Sequence, residues 1–278
     1  MKGKRVYDIA IIVLLAALAV ALQGMRFEIA ISAGTALVID LVAVPALLAF
    51  FLYGFRESFV VLLLTCIGIT FIDPMSWLGA SMKLAGTLPM IAIPAFYVLS
   101  TKKGFAAKKL WPSAFFALFI ALFAFVLEET YFGAASQVEG FAIGYGSPHT
   151  PPITEVSIPL GNLLLGLLPI VALFVFALVL LKPWKHFAKG VSPLMFEQPR
   201  LLAEVLLVAV FIRGATIAVS SYYFGGPIFY GFSPEWLMTM VPWYILFLMN
   251  AVQGALEMFI AWFILFPTGL VERYSSWE

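Results

Sequence analysis

Eight unbroken apolar runs, each long enough to cross a lipid bilayer, dominate this chain. They fall at roughly 8–25, 37–53, 56–72, 83–100, 111–130, 157–181, 201–223 and 239–266 of 278 residues. A bilayer core calls for about 17–25 apolar residues per helix. Backbone in lipid has no water to bond, so a spanning segment is a helix or part of a closed barrel. Barrel strands alternate apolar and polar side chains, and these runs do not. The expected fold is therefore all-α: a polytopic transmembrane helical bundle of about eight spans, forming one domain over 1–278. The first run lacks the small-residue cleavage pattern of a signal peptide and reads as a retained helix.

Composition narrows the function classes. Hydrophobic residues make up 63% and charged residues 11%, against about half and a quarter in soluble domains. A water-soluble fold and a disordered chain are both excluded. The 16 basic and 15 acidic residues leave a net charge of +1, so no basic surface exists to hold nucleic acid. A lone cysteine, Cys66, leaves no internal disulfide. With two histidines and no H-E-x-x-H pattern, a zinc hydrolase is disfavoured. No P-loop or G-x-S-x-G occurs, so the chain has no ATPase of its own and no sign of enzymatic activity. No metal or cofactor is expected.

Lys and Arg set orientation, because cytoplasmic loops carry their excess. With the N-terminus inside, most basic residues fall on inner segments, among them Lys2, Arg56, Lys102, Lys109, Lys185 and Arg273. The stretch 128–157 has no basic residue and carries Glu128, Glu129, Glu139 and Glu155. A multi-pass protein with both termini cytoplasmic fits this pattern. Its tightest link, 53–57, needs Gly54 to turn.

Ionisable groups inside spans are costly and point to function. Arg213 lies about nine residues from the end of the seventh run, roughly 14 Å deep. It either serves a ligand or pairs structurally with Glu257 or Glu204. Asn250, Gln253 and Glu257 share one face of the last helix, with Gly254 beside them allowing close approach. The two amides serve either a ligand or interhelical hydrogen bonds. Aromatics crowd one mouth: Tyr222, Tyr223, Phe224, Phe229, Tyr230, Trp236, Trp243 and Tyr244. They form an interfacial belt, and some of them a stacking lid over a flat heterocycle. Ala17 and Ala21 make a small-x-x-x-small pair suited to close helix packing.

Three stretches carry a family resemblance. LVIDLVAVPALLAFFLYG follows the alanine-rich first helix and contains Asp40, Pro45 and Gly54. SWLGASMKLAGTLPMIAIPAFYVL holds Lys83. The third runs from SSYYFGGPIFYGF to VPWYILFLMNAVQGALE. In order and spacing the chain resembles the substrate-binding S components of energy-coupling factor (ECF) vitamin transporters, closest to the riboflavin type. The resemblance covers about 170 residues. It implies a six-helix core, with 105–195 as an inserted helix pair. It departs from the family at three ligand positions: the last-helix lysine is Gln253, the fifth-helix asparagine is Tyr222, and the fourth-helix asparagine is Lys83.

The resemblance implies a non-enzymatic binding subunit in a prokaryotic cell membrane. Such a subunit captures a small heterocyclic micronutrient, flavin-like or related, at the outer face. Its partners would be a transmembrane coupling protein and two cytoplasmic ATPase subunits, with Ala17 and Ala21 facing the coupling protein. The implied substrate-binding set is Asn250, Gln253, Tyr222, Lys83, Arg213, Glu257 and Asp40. Two other classes stand beside this reading. One is an intramembrane hydrolase, which the pair Glu128-Glu129 invites but Gly133 and the distant His149 and His186 do not complete. The other is a membrane scaffold or assembly protein without a small-molecule ligand.

Overall fold

A computed structural model of the chain describes residues 2–25, 27–32, 35–73, 76–101, 160–187, 193–231 and 233–275. Helix α1 (Lys2–Gln23) leads into an antiparallel hairpin of β1 (Phe27–Ser32) and β2 (Thr35–Ile39). Then come α2 (Val44–Tyr53), α3 (Phe55–Ile72), α4 (Ser76–Ser100) and α5 (Leu160–Phe187). A 3₁₀ turn at Pro193–Glu197 precedes α6 (Pro199–Ser220), which runs through a π turn (Ser221–Gly225) into α7 (Gly226–Tyr230). Helices α8 (Pro234–Met240), α9 (Trp243–Leu265) and α10 (Leu270–Tyr274) complete the described chain. Among the described residues the fold is helical apart from one hairpin.

Among the described residues, five helices are long and apolar enough to cross a membrane: Phe55–Ile72, Ser76–Ser100, Gly161–Trp184, Pro199–Phe229 and Trp243–Leu265. Leu164, Leu168, Val175, Phe259 and Phe263 stand exposed along two of them. Large apolar side chains turned outward in such rows suit lipid rather than water. The chain thus has the make of a multi-pass membrane protein.

The run 37–53 does not form one spanning helix, which corrects the sequence expectation. Thr35–Ile39 pairs as a strand with Phe27–Ser32, and helix begins only at Val44. Asp40 marks the break. Its Oδ1 accepts from the Val42 amide at 3.2 Å, a local turn that competes with helix. Pro45 then sits in the first helical turn, where its missing N–H costs nothing. Ten residues rise about 15 Å, half the thickness of a bilayer core. The run 111–130, most of the inserted pair 105–195, and Glu128, Glu129 and His149 lie outside the described residues. Of that pair, Leu160–Phe187 is helical and packs on α4 and on the π turn.

Side-chain contacts fix the direction of each helix. Gln23 Nε2 donates to Asp73 Oδ2 at 2.5 Å, which brings the C-terminal ends of α1 and α3 together. Asp40, ahead of α2, meets Lys83 in the early turns of α4 and Gln253 in α9, so these three run the other way. Ser220 at the end of α6 donates to the Gly166 carbonyl near the start of α5 at 2.9 Å. The bundle therefore has a hairpin end and an opposite end.

At the opposite end, α2 turns into α3 through Gly54 alone, at φ 101°. Trp184 covers this turn, and a Cβ on Gly54 would lie 3.0 Å from its Nε1. Phe50 and Phe55 pack on Trp184, and Phe50, Phe51, Phe196 and Phe266 continue the cluster in edge-to-face pairs with centroids 5.3–6.1 Å apart. In lipid there is little hydrophobic drive between helices, so dispersion contacts of this kind hold the bundle. The Trp262 indole donates to the Phe196 carbonyl at 3.0 Å, which ties α9 to the 3₁₀ turn.

Candidate functional site

A cavity of about 180 Å³ lies at the hairpin end, between the end of α1, the start of α2, and helices α4, α6 and α9. Polar side chains line it within a bundle that is otherwise apolar. Asp40, Lys83, Arg213, Asn250, Gln253 and Glu257 all reach its wall. They come from four places in the sequence, and the alternating helix directions bring them to one depth.

Two ion pairs organise the wall. Lys83 Nζ pairs with Asp40 Oδ2, and Arg213 Nη1 pairs with Glu257 Oε2. Glu257 and Asp40 are each 1% exposed and Arg213 is 4% exposed. Gln253 links the two pairs. Its Nε2 lies 3.2 Å from the Asp40 carbonyl, 3.5 Å from Asp40 Oδ1 and 3.4 Å from Glu257 Oε1. One amide nitrogen thus stands between two carboxylates, with a cation on the far side of each. The sequence alternatives for Arg213 resolve to Glu257. Glu204 instead meets Arg200 on the exposed side of the same helix at 3.2 Å.

Gly254 makes room for the arginine, whereas Gly86 only borders it at ordinary contact distance. A Cβ at Gly254 would lie 2.8 Å from Arg213 Cδ, and one at Gly86 would lie 3.8 Å from Arg213 Nε. The guanidinium has five donors in a fixed fork. Its buried Nε has no hydrogen-bond partner, and neither does the Thr216 hydroxyl one turn away. Buried polar atoms are nearly always paired, so Arg213 keeps bonding capacity within the cavity wall.

The other anticipated residues fall elsewhere. Tyr222 is buried among Val219, Tyr223 and partly buried Leu237, and its hydroxyl donates to the Val241 carbonyl. It ties α8 to the π turn and does not reach the cavity wall. Asn250 reaches the wall, but its amide nitrogen donates back to the Leu246 carbonyl at 2.8 Å. Of the aromatics, Tyr223 and Phe224 are buried, while Trp236, Trp243 and Tyr244 are exposed. Ala17 and Ala21 are exposed on α1, whereas Ala16 and Ala19 face inward.

Sequence reasoning missed Gln23 and Asp73, which also line the cavity. Each is a polar residue closing an apolar run, and alternating helix directions put both at the same end. That signal was present in the order of the spans. Among the described residues, no group of three or more His, Cys, Asp or Glu is arranged to hold a metal ion. Comparison with protein-family models, curated proteins and solved structures finds no match to this chain.

Proposed function

We propose that the chain is the substrate-specific binding subunit of an ECF-type micronutrient importer. In this reading it captures a small polar ligand at the outer face of a prokaryotic cell membrane, with both termini in the cytoplasm. The observation that carries the proposal is the charged cavity at the hairpin end. Burying four ionisable side chains in a membrane bundle is costly, and a purely structural bundle reaches stability through apolar packing instead. A small-molecule site instead gathers convergent polar groups in one concave place, as this wall does. The resemblance to riboflavin-type S components supports the transport half of the proposal. A coupling protein and two ATPase subunits would supply the energy.

The cavity bears on ligand size. Its volume of about 180 Å³ lies below the roughly 300–1,000 Å³ usual for drug-sized ligands. A flavin-like molecule would have to open it, whereas a smaller micronutrient fits as it stands. The test is mass spectrometry of what the purified full-length protein releases on denaturation. A small polar molecule at close to one per chain is the expected result. Protein that is well folded, purified without stripping, and carries no such molecule would overturn the binding reading in favour of a scaffold.

A further inference from the structure

Resting on that reading, we infer that the ligand class is a small zwitterion, carrying one ammonium and one carboxylate. The ammonium sits between Asp40 and Glu257, and the carboxylate takes a cation at the edge of the same cavity.

The order of charges carries this assignment. Across the wall it reads Lys83, Asp40, Gln253, Glu257, Arg213: cation, anion, neutral amide, anion, cation. The two carboxylates are neighbours, since one Gln253 nitrogen reaches both. Gln253 Nε2 occupies their interval, and a ligand ammonium takes it by displacing that amide, one compact donor group with more than one N–H replacing another. The outer cations suit an anionic group on the same ligand. Arg213 commits Nη1 to Glu257, and its guanidinium fork carries further N–H donors. Asp73, the third carboxylate on the wall, accepts from Gln23.

Charge conservation favours the same class. In the empty cavity each of these four charges has its opposite. A monoanion that engages Lys83 or Arg213 draws it from its carboxylate and leaves that carboxylate uncompensated. A monocation does the reverse. Leaving one partner of a buried ion pair alone is strongly unfavourable. A neutral ligand meets amide donors already committed, Gln253 to the carboxylates and Asn250 to Leu246. A zwitterion exchanges one set of opposite charges for another, and every charge stays paired. The volume of about 180 Å³ limits it to a molecule well below flavin size.

The experiment uses full-length protein in lipid nanodiscs and four probes of matched length: γ-aminobutyrate, butyrate, butylamine and butyramide. A ligand that binds only the folded state raises the melting temperature. At millimolar concentration γ-aminobutyrate should raise it by about 2–4 °C, and the other three should not. The double variant Arg213→Met/Glu257→Gln removes one pair while keeping charge balance, so it should fold, and its γ-aminobutyrate response should be lost. An equal rise from butyrate, butylamine or butyramide overturns the zwitterion class while leaving a binding subunit. A double variant that responds like the wild type also overturns it. No rise from any probe overturns it too, and the released-ligand measurement then decides the binding reading separately.

Discussion

Gly254 shows how much one missing side chain decides. It lets α9 pass close enough to α6 for Arg213 to turn toward Glu257. Gly254→Ala places a methyl group 2.8 Å from Arg213 Cδ, on the rigid part of that side chain rather than its free end. Overpacking of this kind costs about 1–3 kcal/mol, so unfolding of the variant in mild detergent should shift by that amount. An unchanged midpoint would mean that Arg213 has room to spare and that its seat is not set by the glycine. At this scale the sequence was informative wherever periodicity applied. Gln253 and Glu257 are one turn apart, and their common face follows from the helix repeat alone. The pairing of Asp40 with Lys83 joins positions 43 apart, and no local pattern encodes it. Tyr222 failed for a related reason. A tyrosine near a helix end reads the same whether its hydroxyl faces a ligand or, as here, the Val241 carbonyl.

Hydropathy alone misread one element, and the misreading is physical. The residues 35–39 are apolar and partly β-branched, which serves a strand as well as a helix. Asp40 and Pro45 then divide the run into a hairpin strand and the ten-residue α2. The other described runs fall on helices because they are long, and charges within them such as Glu204, Arg213 and Glu257 are carried on helix faces rather than at turns. Pro242 divides the last of them, between Met240 and Trp243, but the prolines of the fourth run do not divide it. Pro89 and Pro94 lie within α4, where neighbouring helices in a bundle re-satisfy the freed carbonyls. The α2–α3 junction was legible, since only glycine turns a chain within one residue. Its backbone at φ 101°, ψ −174° belongs to a region that is essentially glycine's, and strain there costs about 1–3 kcal/mol for other residues. Gly54→Ala should therefore lower thermal stability by that order, and it should also press on Trp184. Trp184 fluorescence offers a second readout in a protein otherwise cleared of tryptophan. A variant with unchanged stability and an unchanged Trp184 signal would show that the turn relaxes at no cost.

At the scale of the whole molecule, the two ends of the bundle differ in kind. The opposite end is an aromatic cluster around Trp184 and Phe196, dense and apolar. The hairpin end holds the cavity and the buried charges Asp40, Asp73, Arg213 and Glu257. A binding subunit that passes its ligand onward needs, besides that site, a surface for its partner. The α1 helix bears on this because its two faces are distinct. Ala16 and Ala19 pack inward, while Ala17 and Ala21, one turn apart, lie outward with Leu14 and Leu18. Small residues on an outward face let another helix approach closely in lipid, and this is the face that the proposed coupling protein would meet. Ala17→Trp and Ala21→Trp add bulk away from the bundle interior, so ligand release from the purified variants should match the wild type. Uptake by cells should instead fall to background, with affinity for the coupling protein reduced by about tenfold or more, equivalent to about 1.4 kcal/mol. The comparison of the two readouts is decisive. Binding and uptake falling together would make the face part of the bundle's own packing. Uptake that survives both tryptophans would place the coupling surface on another helix.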